Sequence, residues 1–359
     1  MEQENFLKII SGSVQRVGDS SEDSILNLVR KVFPPDLLRC EGLTVPAFAD
    51  DAAVVSGKLL GEDHELVITT DVLVDGADFS FDWMSYADIG FKSVMVNLSD
   101  LASMGADPIG MVVAIGLPDN TPVIQVESFL EGMKQAAQIH STLLLGGDLS
   151  ESKVFFCSIT AIGKVPTGKA LRRDGAKEGD SLCVTGFPGE ARAGLMIASR
   201  KFGNSTSEEK VFLNSFYRPT ARIEIGRVLR DSGMVRGCLD LSDGLARDSI
   251  RIADRNNLRV QIESEKIPAN ETLVNFWKSR GHDIYKEIAT GGEDFELLFC
   301  VDPKNFDSLK KTVEKETGTK ITKIGKLTKG SGSHLIYPDK TEVDMSSWGF
   351  DHFEGKSGN

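Results

Sequence analysis

The sequence lacks several features that would assign a function class directly. No run of about 18 apolar residues occurs in its 359 residues, so we expect no membrane-spanning helix and no membrane partner. The start, MEQENFLKII, lacks the basic first region and long apolar core of a secretory signal. Five cysteines are scattered without a CxxC pair, which favours a reducing, cytoplasmic compartment over a disulfide scaffold or a zinc site.

Positive charge is also scarce. The chain carries 41 Lys and Arg against 53 Asp and Glu, which gives a net charge of −12. Such a surface repels nucleic-acid backbones, and no basic run offsets this, so we expect no nucleic-acid partner. Phosphate metabolites are repelled for the same reason. A phosphate-binding site in this chain therefore needs bound cations as counter-charge.

The sequence contains no pattern typical of covalent catalysis. Its five histidines are dispersed, and it has neither a GxSxG motif nor a convincing Cys and His pair. We therefore assign no catalytic general base. The segment GKVPTGKA resembles a phosphate-binding loop, but Ala170 replaces the hydroxyl that would bind magnesium and Pro166 removes a backbone donor.

What the chain does contain is an alternation of helical and strand patterns, interrupted once. Pro, Gly and basic residues cluster between Pro166 and Asp180, where we place a domain boundary. The predicted fold is α/β (α+β) with an N-terminal domain over 1–165, a C-terminal α/β domain over 166–353 and a disordered tail over 354–359. Each domain is long enough to bury its own core.

Acidic residues recur at the ends of the apolar runs, beside Gly, Ser or Thr. The five segments with this pattern are Ala49–Ala52, Thr69–Asp71, Gly146–Asp148, Asp240–Gly244 and Gly291–Asp294. Ligand sites gather at strand ends in α/β folds, and oxygen donors without His or Cys suit magnesium. Asp, Gly and Ser also form ordinary turns, so each segment alone keeps that alternative open.

A largely buried helix is predicted over Tyr86–Met104, ending before Gly105 and Pro108. Asn97 and Asp100 share one face of it, while apolar side chains cover most of the remaining circumference. A carboxylate on a buried helix is costly unless it is paired or bound to a cation. Asp100 is therefore either a metal ligand or a cap for a neighbouring loop.

Taken together and in order, eight segments resemble the thiamine-monophosphate kinase family. They are DDAAVV, TTDVLVDGADF, VNLSDLASMGADP, LLGGD, VTGFPGEARAGL, RPTARIEIG, LDLSDGLARD and GGEDFELLF. With the closing WGFDHF, the resemblance covers about residues 22–353. The resemblance implies the two-domain fold of the aminoimidazole ribonucleotide synthetase superfamily, dimerisation through the N-terminal mixed sheet, and ATP-dependent phosphorylation of thiamine monophosphate in the last step of thiamine diphosphate biosynthesis.

The resemblance also implies site residues. The positions that match ligands of several Mg²⁺ ions are Asp51, Thr69, Thr70, Asp71, Asp100, Asp148, Asp240 and Asp243. Those that match ATP-binding positions are Gly147, Asp148, Arg173 and Ser242. Those that match the acceptor site are Asp78, Glu293 and Phe350, and the family commonly has His at the position of Asp78.

The expected mechanism needs no proton acceptor on the protein, because a phosphate oxygen with a second pKa of about 6 is already largely deprotonated near neutral pH. Two alternatives stay open. The chain could be a superfamily enzyme with a different acceptor, or a catalytically silent protein that binds nucleotide or thiamine phosphate. The full set of aspartates favours catalysis, since a binding protein needs fewer metal ligands.

Overall fold

The computed structural model describes residues 28–38, 43–45, 54–55, 61, 63–200 and 206–349. The chain divides into two compact units. The first comprises the described residues of Met1–Val55, Asp71–Val94 and Met111–Ile159, and the second comprises those of Ser56–Thr70, Met95–Gly110 and Thr160–Asn359. The boundary predicted at residue 166 stays a prediction. In the described residues, no helix is long and apolar enough to cross a membrane.

Helices and strands alternate along most of the described chain. After a helical stretch at residues 28–32, the helices are α1 (Pro35–Leu38), α2 (Tyr86–Ser103), α3 (Val123–Ile139), α4 (Glu190–Ser199), α5 (Ser207–Tyr217), α6 (Ile223–Ser232), α7 (Leu245–Asn256), α8 (Glu271–Lys278), α9 (Ile284–Thr290) and α10 (Phe306–Thr317). The strands are β1 (Leu43–Val45), β2 (Val54–Val55), β3 (His64–Val74), β4 (Asp107–Leu117), β5 (Leu143–Glu151), β6 (Phe156–Pro166), β7 (Ser181–Thr185), β8 (Val235–Asp240), β9 (Arg259–Glu263), β10 (Leu297–Val301), β11 (Ile321–Thr328), β12 (Ser333–Ile336) and β13 (Glu342–Asp344).

The described strands form three sheets. A two-stranded sheet pairs β1 with β2, a four-stranded sheet has the order β3-β6-β4-β5, and a seven-stranded sheet has the order β13-β12-β9-β11-β7-β10-β8. In the largest sheet β9 and β12 are parallel, whereas β10 is antiparallel to both β7 and β8. The predicted α/β class therefore takes the form of mixed sheets packed with helices.

The central strands of the large sheet follow from their composition. All five residues of β10 are buried, as are all five of β7, because both strands have neighbours on each edge and apolar packing on their faces. The core beside them includes Trp277 of α8 and Ile252 of α7, both 0% exposed. The sequence predicts strands over Ser181–Thr185 and Phe295–Cys300. The first is observed with the same limits, whereas the second is observed at Leu297–Val301.

In the first unit, α2 and α3 cross with their backbones in close contact. A Cβ atom on Gly90 would lie 1.9 Å from the carbonyl oxygen of Phe129, and one on Gly132 would lie 1.9 Å from that of Ala87. Glycine at both positions is therefore required for the crossing. The predicted helix over Tyr86–Met104 is observed one residue shorter, before Gly105 at φ +67°.

Two predicted boundaries are wrong. The sequence predicts a strand over Thr142–Leu145 that breaks at Gly146 and Gly147, but the observed strand continues to Glu151. Glycine lets β5 lie against β4, since a Cβ on Gly147 would be 2.2 Å from the Val113 carbonyl oxygen. The sequence also predicts a helix over Pro219–Ser232, but the observed helix begins only at Ile223.

Candidate active site

Asp100 lies near the end of α2, and residues 89–99 before it are all buried. Its Oδ2 accepts a hydrogen bond of 2.5 Å from Thr69 Oγ1 on β3. Burial raises the pKa of Asp100, while the Thr69 hydrogen bond and the nearby positive charges of Arg173 and Arg251 act in the opposite direction. The prediction of a buried helix is confirmed, and two predicted metal ligands are in direct contact.

Asp240 is the last residue of β8 and is only 5% exposed. Ser99 Oγ, from the residue before Asp100, donates a 2.7 Å hydrogen bond to Asp240 Oδ2. Burial, and next the negative charge of Asp100, raise the pKa of Asp240 to about 7, while Arg173 opposes them. The fold thus places two carboxylates from distant parts of the sequence close enough to repel one another.

The loop after β8 carries a third predicted ligand, Asp243. Its backbone nitrogen donates a 3.1 Å hydrogen bond to Asp248 Oδ2 in the first turn of α7. Arg251 donates to both carboxylates, at Asp243 Oδ2 and Asp248 Oδ1. Asp248 is 0% exposed, and burial raises its pKa to about 8 despite Arg251. An arginine therefore offsets part of the charge in this cluster.

These side chains fit a magnesium ion. Thr69, Asp100 and Asp240 supply oxygen donors, and a divalent cation would offset the burial and the repulsion by Asp100 that raise the pKa of Asp240. Among the described residues, no group of three or more His, Cys, Asp or Glu side chains is arranged to hold a metal ion by itself. Magnesium commonly keeps waters and substrate phosphates in its shell, so one or two protein carboxylates are sufficient.

The first unit contains an apolar pocket beside Gly147 and Asp148 of β5. Its cavity volume of about 20 Å³ is enough for about one water molecule. Its lining residues are Val29, Val113, Ile115, Leu130, Met133, Leu144, Gly146, Gly147, Asp148 and Leu149. This space is well below the size of typical small-molecule sites.

Glu293 lies in the segment between α9 and β10, where the backbone is unusual. Glu293 has φ +68° and Phe295 has φ +51°, both in the left-handed region that non-glycine residues seldom adopt. The Glu293 nitrogen donates to the Ser242 carbonyl oxygen at 2.8 Å, and the Phe295 nitrogen to that of Leu241 at 2.9 Å. The predicted acceptor segment is therefore bound to the loop that carries Asp243.

Comparison with known proteins identifies the family. The chain matches the models of AIR synthase related protein, N-terminal domain, over residues 49–165, and C-terminal domain, over residues 177–338. Thiamine-monophosphate kinase from Escherichia coli K12 is 32% identical over 329 residues, which cover 91% of this chain and 97% of that protein. The chain belongs to the thiamine-monophosphate kinase family.

Solved structures agree with this assignment. The crystal structure of thiamine-monophosphate kinase from Stenotrophomonas maltophilia K279a has a TM-score of 0.77 and 29% identity, covering 88% of this chain and 96% of that one. A structure described as AaThiL complexed with AMPPCP and TMP has a TM-score of 0.73 and 27% identity, covering 95% and 100%. The predicted family, fold class and kinase function are therefore confirmed.

The remaining metal positions expected from the thiamine-monophosphate kinase family lie in varied surroundings. Thr70 and Asp71 are exposed on β3, with Thr70 on the opposite face of the strand from Thr69 and Asp71. Asp148 is exposed on β5. Asp51 lies outside the described residues.

The residues predicted to bind the substrates also differ in their surroundings. Arg173 is exposed, and its charge acts on the pKa values of Asp100 and Asp240. Asp78 Oδ2 accepts a 2.8 Å hydrogen bond from the Val74 nitrogen, so this carboxylate closes a turn. Phe350 lies outside the described residues. The structure thus brings Arg173 to the aspartates and gives Asp78 a local structural partner.

Sequence reasoning missed three residues of this site: Ser99, Asp248 and Arg251. Asp248 and Arg251 are three residues apart on α7, a spacing that places them on one helical face and indicates an ion pair. Ser99 directly precedes Asp100, but its contact with Asp240 is formed only in the tertiary structure. The helical spacing was available from the sequence, whereas the Ser99 contact was not.

Proposed function

We propose that this chain transfers the γ-phosphoryl group of ATP directly to the phosphate of thiamine monophosphate, giving ADP and thiamine diphosphate. The observation that carries the proposal is the pairing of Asp100 with buried Asp240 in a member of the thiamine-monophosphate kinase family. Two adjacent carboxylates repel phosphate, so they suit catalysis of phosphoryl transfer only when cations lie between them and the substrates.

We further propose that several Mg²⁺ ions bind at these carboxylates. When bound, the ions would neutralise phosphate charge and help align the two substrates. Thr69 orients Asp100, and Ser99 orients Asp240. The full proposed ligand set is Asp51, Thr69, Thr70, Asp71, Asp100, Asp148, Asp240 and Asp243.

ATP is proposed to bind through Gly147, Asp148, Arg173 and Ser242. Arg173 is the positively charged member of this set, and its guanidinium suits phosphate oxygens. Gly147 and Asp148 lie on β5 of the first unit, where Gly147 allows a close approach to the Val113 carbonyl oxygen.

The acceptor is proposed to contact Asp78, Glu293 and Phe350. Thiamine monophosphate carries a cationic ring, so carboxylates and an aromatic face are suitable partners. Its phosphate oxygen is the nucleophile and is already deprotonated near neutral pH, since the second pKa is about 6. The protein therefore has to hold and shield two anions, and no side chain has to remove a proton.

We also propose a homodimer that forms through β3, an edge strand of the four-stranded sheet. Leu66, Ile68 and Val72 alternate along one face of this strand and are 53%, 62% and 50% exposed. An exposed apolar row on an edge strand is typical of an association surface. Ile68→Lys should give a monomer by analytical ultracentrifugation, whereas Ile124→Lys on α3, also exposed, should leave the dimer intact. Equal behaviour of the two variants would contradict this interface.

A cytoplasmic location is proposed from the thiols. Cys157, Cys183, Cys238 and Cys300 are all buried and free. Burial raises the pKa of Cys157 to about 12, so this thiol is protonated and unreactive at neutral pH. Buried, unpaired thiols of this kind are compatible with a reducing compartment.

The test of the proposed reaction is an assay of the purified full chain with ATP, Mg²⁺ and a panel of phosphorylated acceptors. Thiamine monophosphate should give ADP and thiamine diphosphate in equal amounts. A better acceptor elsewhere in the panel would show a related enzyme of different specificity. Binding of nucleotide without ADP release for any acceptor would show a catalytically silent protein.

A further inference from the structure

We propose that Glu296 and Arg222 form a positioning pair that holds Glu293 in the conformation needed to bind thiamine monophosphate. The proposal rests on the proposed function, because it assigns Glu293 to the acceptor. Neither Glu296 nor Arg222 is proposed to touch a substrate. Their role is to fix the backbone of the segment Gly291–Phe295.

The segment needs external support because of its backbone. Glu293 and Phe295 both have positive φ, at +68° and +51°, although each carries a side chain that disfavours this region. Such conformations persist only where the surrounding contacts determine them. Between these two residues, Asp294 accepts hydrogen bonds from the nitrogens of Gly189 at 2.7 Å and Ala191 at 3.2 Å, at the start of α4.

Glu296 provides a second, stronger attachment directly after the segment. Arg222 donates to both of its carboxylate oxygens, from Nε at 2.8 Å and from Nη2 at 2.5 Å. Thr185 Oγ1 donates to Glu296 Oε2 at 2.5 Å and accepts from the Leu297 nitrogen at 2.8 Å. Glu296 is 4% exposed, so a planar two-point ion pair is buried at the end of the strained segment.

Gly186 shows how closely this carboxylate is enclosed. A Cβ atom on Gly186 would lie 1.9 Å from Glu296 Oε1, so any side chain at this position would displace the carboxylate. The Glu296 carbonyl oxygen also accepts a 2.8 Å hydrogen bond from the Leu241 nitrogen. A displaced Glu296 would therefore disturb both the acceptor segment and the loop beside it.

The chain offers a matched control for this enclosure. Gly186 has φ +57° and Gly233 has φ +63°, so alanine meets similar backbone strain at both positions. At Gly233, however, nothing lies within 4 Å of the added Cβ. Any difference between Gly186→Ala and Gly233→Ala therefore reports the displacement of Glu296 and not the cost of positive φ.

The experiment measures steady-state kinetics of the full chain for both substrates. For Glu296→Gln and Gly186→Ala, we expect the KM for thiamine monophosphate to rise about tenfold or more, with the KM for ATP within about twofold of the wild type. Gly233→Ala should match the wild type in both constants. A second form, Arg222→Gln with Glu296→Gln, removes both charges, so it keeps the effect measurable if a single variant folds poorly.

A double-mutant cycle with Glu293→Gln tests whether the pair acts through Glu293. Once Glu293 is replaced, Glu296→Gln should cause little further rise in the KM for thiamine monophosphate, because the group it positions is absent. Additive effects, equal changes in both KM values, or wild-type kinetics in Glu296→Gln and Gly186→Ala would each overturn the positioning role. A wild-type chain that makes no thiamine diphosphate would instead refute the proposed function.

Discussion

Asp240 and Glu296 are almost equally buried, at 5% and 4% exposed, and they lie at the ends of the neighbouring strands β8 and β10. Glu296 precedes β10 and is paired with Arg222 and Thr185. Asp240 ends β8 and meets Ser99 together with the like charge of Asp100. A buried carboxylate that is paired within the protein can hold a backbone in place, whereas one placed beside another carboxylate is suited to an external cation.

The largest effect should come from neutralising Asp240, the buried carboxylate beside Asp100. Asp240→Asn should lower kcat by a factor on the order of 10³ or more, comparable to losing a charge-stabilising group in phosphoryl transfer. The free energy of unfolding should stay similar or increase, because a buried like-charge interaction is removed. Turnover assays and urea unfolding of the same protein measure both quantities. Loss of stability in parallel with activity would mean that Asp240 has a structural role, as Glu296 does.

Breaking the ion pair between Arg222 and Glu296 should, in contrast, lower the free energy of unfolding. Arg222→Gln should lower the free energy of unfolding by about 3 kcal/mol, at the low end for a broken buried ion pair because Arg222 is partly exposed. Replacing both Arg222 and Glu296 by Gln should restore most of this loss. The matched control is Arg172→Gln, since Arg172 pairs with Asp174 at the surface and should contribute nothing measurable. If the two arginine variants have the same free energy of unfolding, the ion pair of Arg222 and Glu296 does not stabilise the fold.

Divalent cations should stabilise the folded chain by binding at the site of Asp100 and Asp240. Mg²⁺ with a non-hydrolysable ATP analogue, at about a hundredfold excess over the dissociation constant, should add about 2.7 kcal/mol to the stability of the folded chain. Thermal unfolding should show this gain in the wild type and in Asp119→Asn, an exposed control, and should show much less in Asp240→Asn. A chelator should remove the gain together with turnover. Undiminished activity in the chelator would rule out the proposed ions.

The smallest effect concerns Glu190, which lies near the ion pair of Arg222 and Glu296. Burial raises its pKa, while hydrogen bonds from Ser215 and Asn270 act in the opposite direction. The folded state therefore binds this proton more tightly than the unfolded state does, so this contribution to stability declines as the pH rises from about 4.5 through the raised pKa. Glu190→Gln should remove that decline. The difference in unfolding free energy between wild type and variant, measured at pH 5 and pH 8, tests the sign.

Much of the fold was predictable because local signals agreed with the tertiary structure. The limits of β7 were predicted from an apolar run, and those of α2 to within one residue, from apolar spacing and a glycine terminator. The continuation of β5 through Gly146 and Gly147 was not, because glycine there serves a close approach between strands and does not form a turn. Glycine can therefore mark either a turn or a close approach between strands, and the sequence alone does not distinguish the two.

The candidate site was predicted unevenly for a similar reason. Asp240 stood out because it ends an apolar run near a hydroxyl residue, and Asp100 because it lies on a predicted buried helix. Only the fold shows that the two carboxylates interact. Glu293 was predicted from its motif, whereas the support from Glu296 and Arg222 joins α6 to β10 and leaves no periodic pattern. Ion pairs between distant segments depend on how whole helices and strands pack together, so the local spacing of residues in the sequence does not predict them.

The sequence by itself determined the order of the elements, the burial of α2 and the central strands, and the oxygen-only chemistry of the proposed metal ligands, because these depend on the type and spacing of residues along the chain. Only the tertiary structure decided which carboxylates became neighbours and which of them received an arginine. The physical reason is that burial and charge pairing are properties of position in space. The same carboxylate chemistry therefore serves a proposed metal site at Asp240 and a structural ion pair at Glu296.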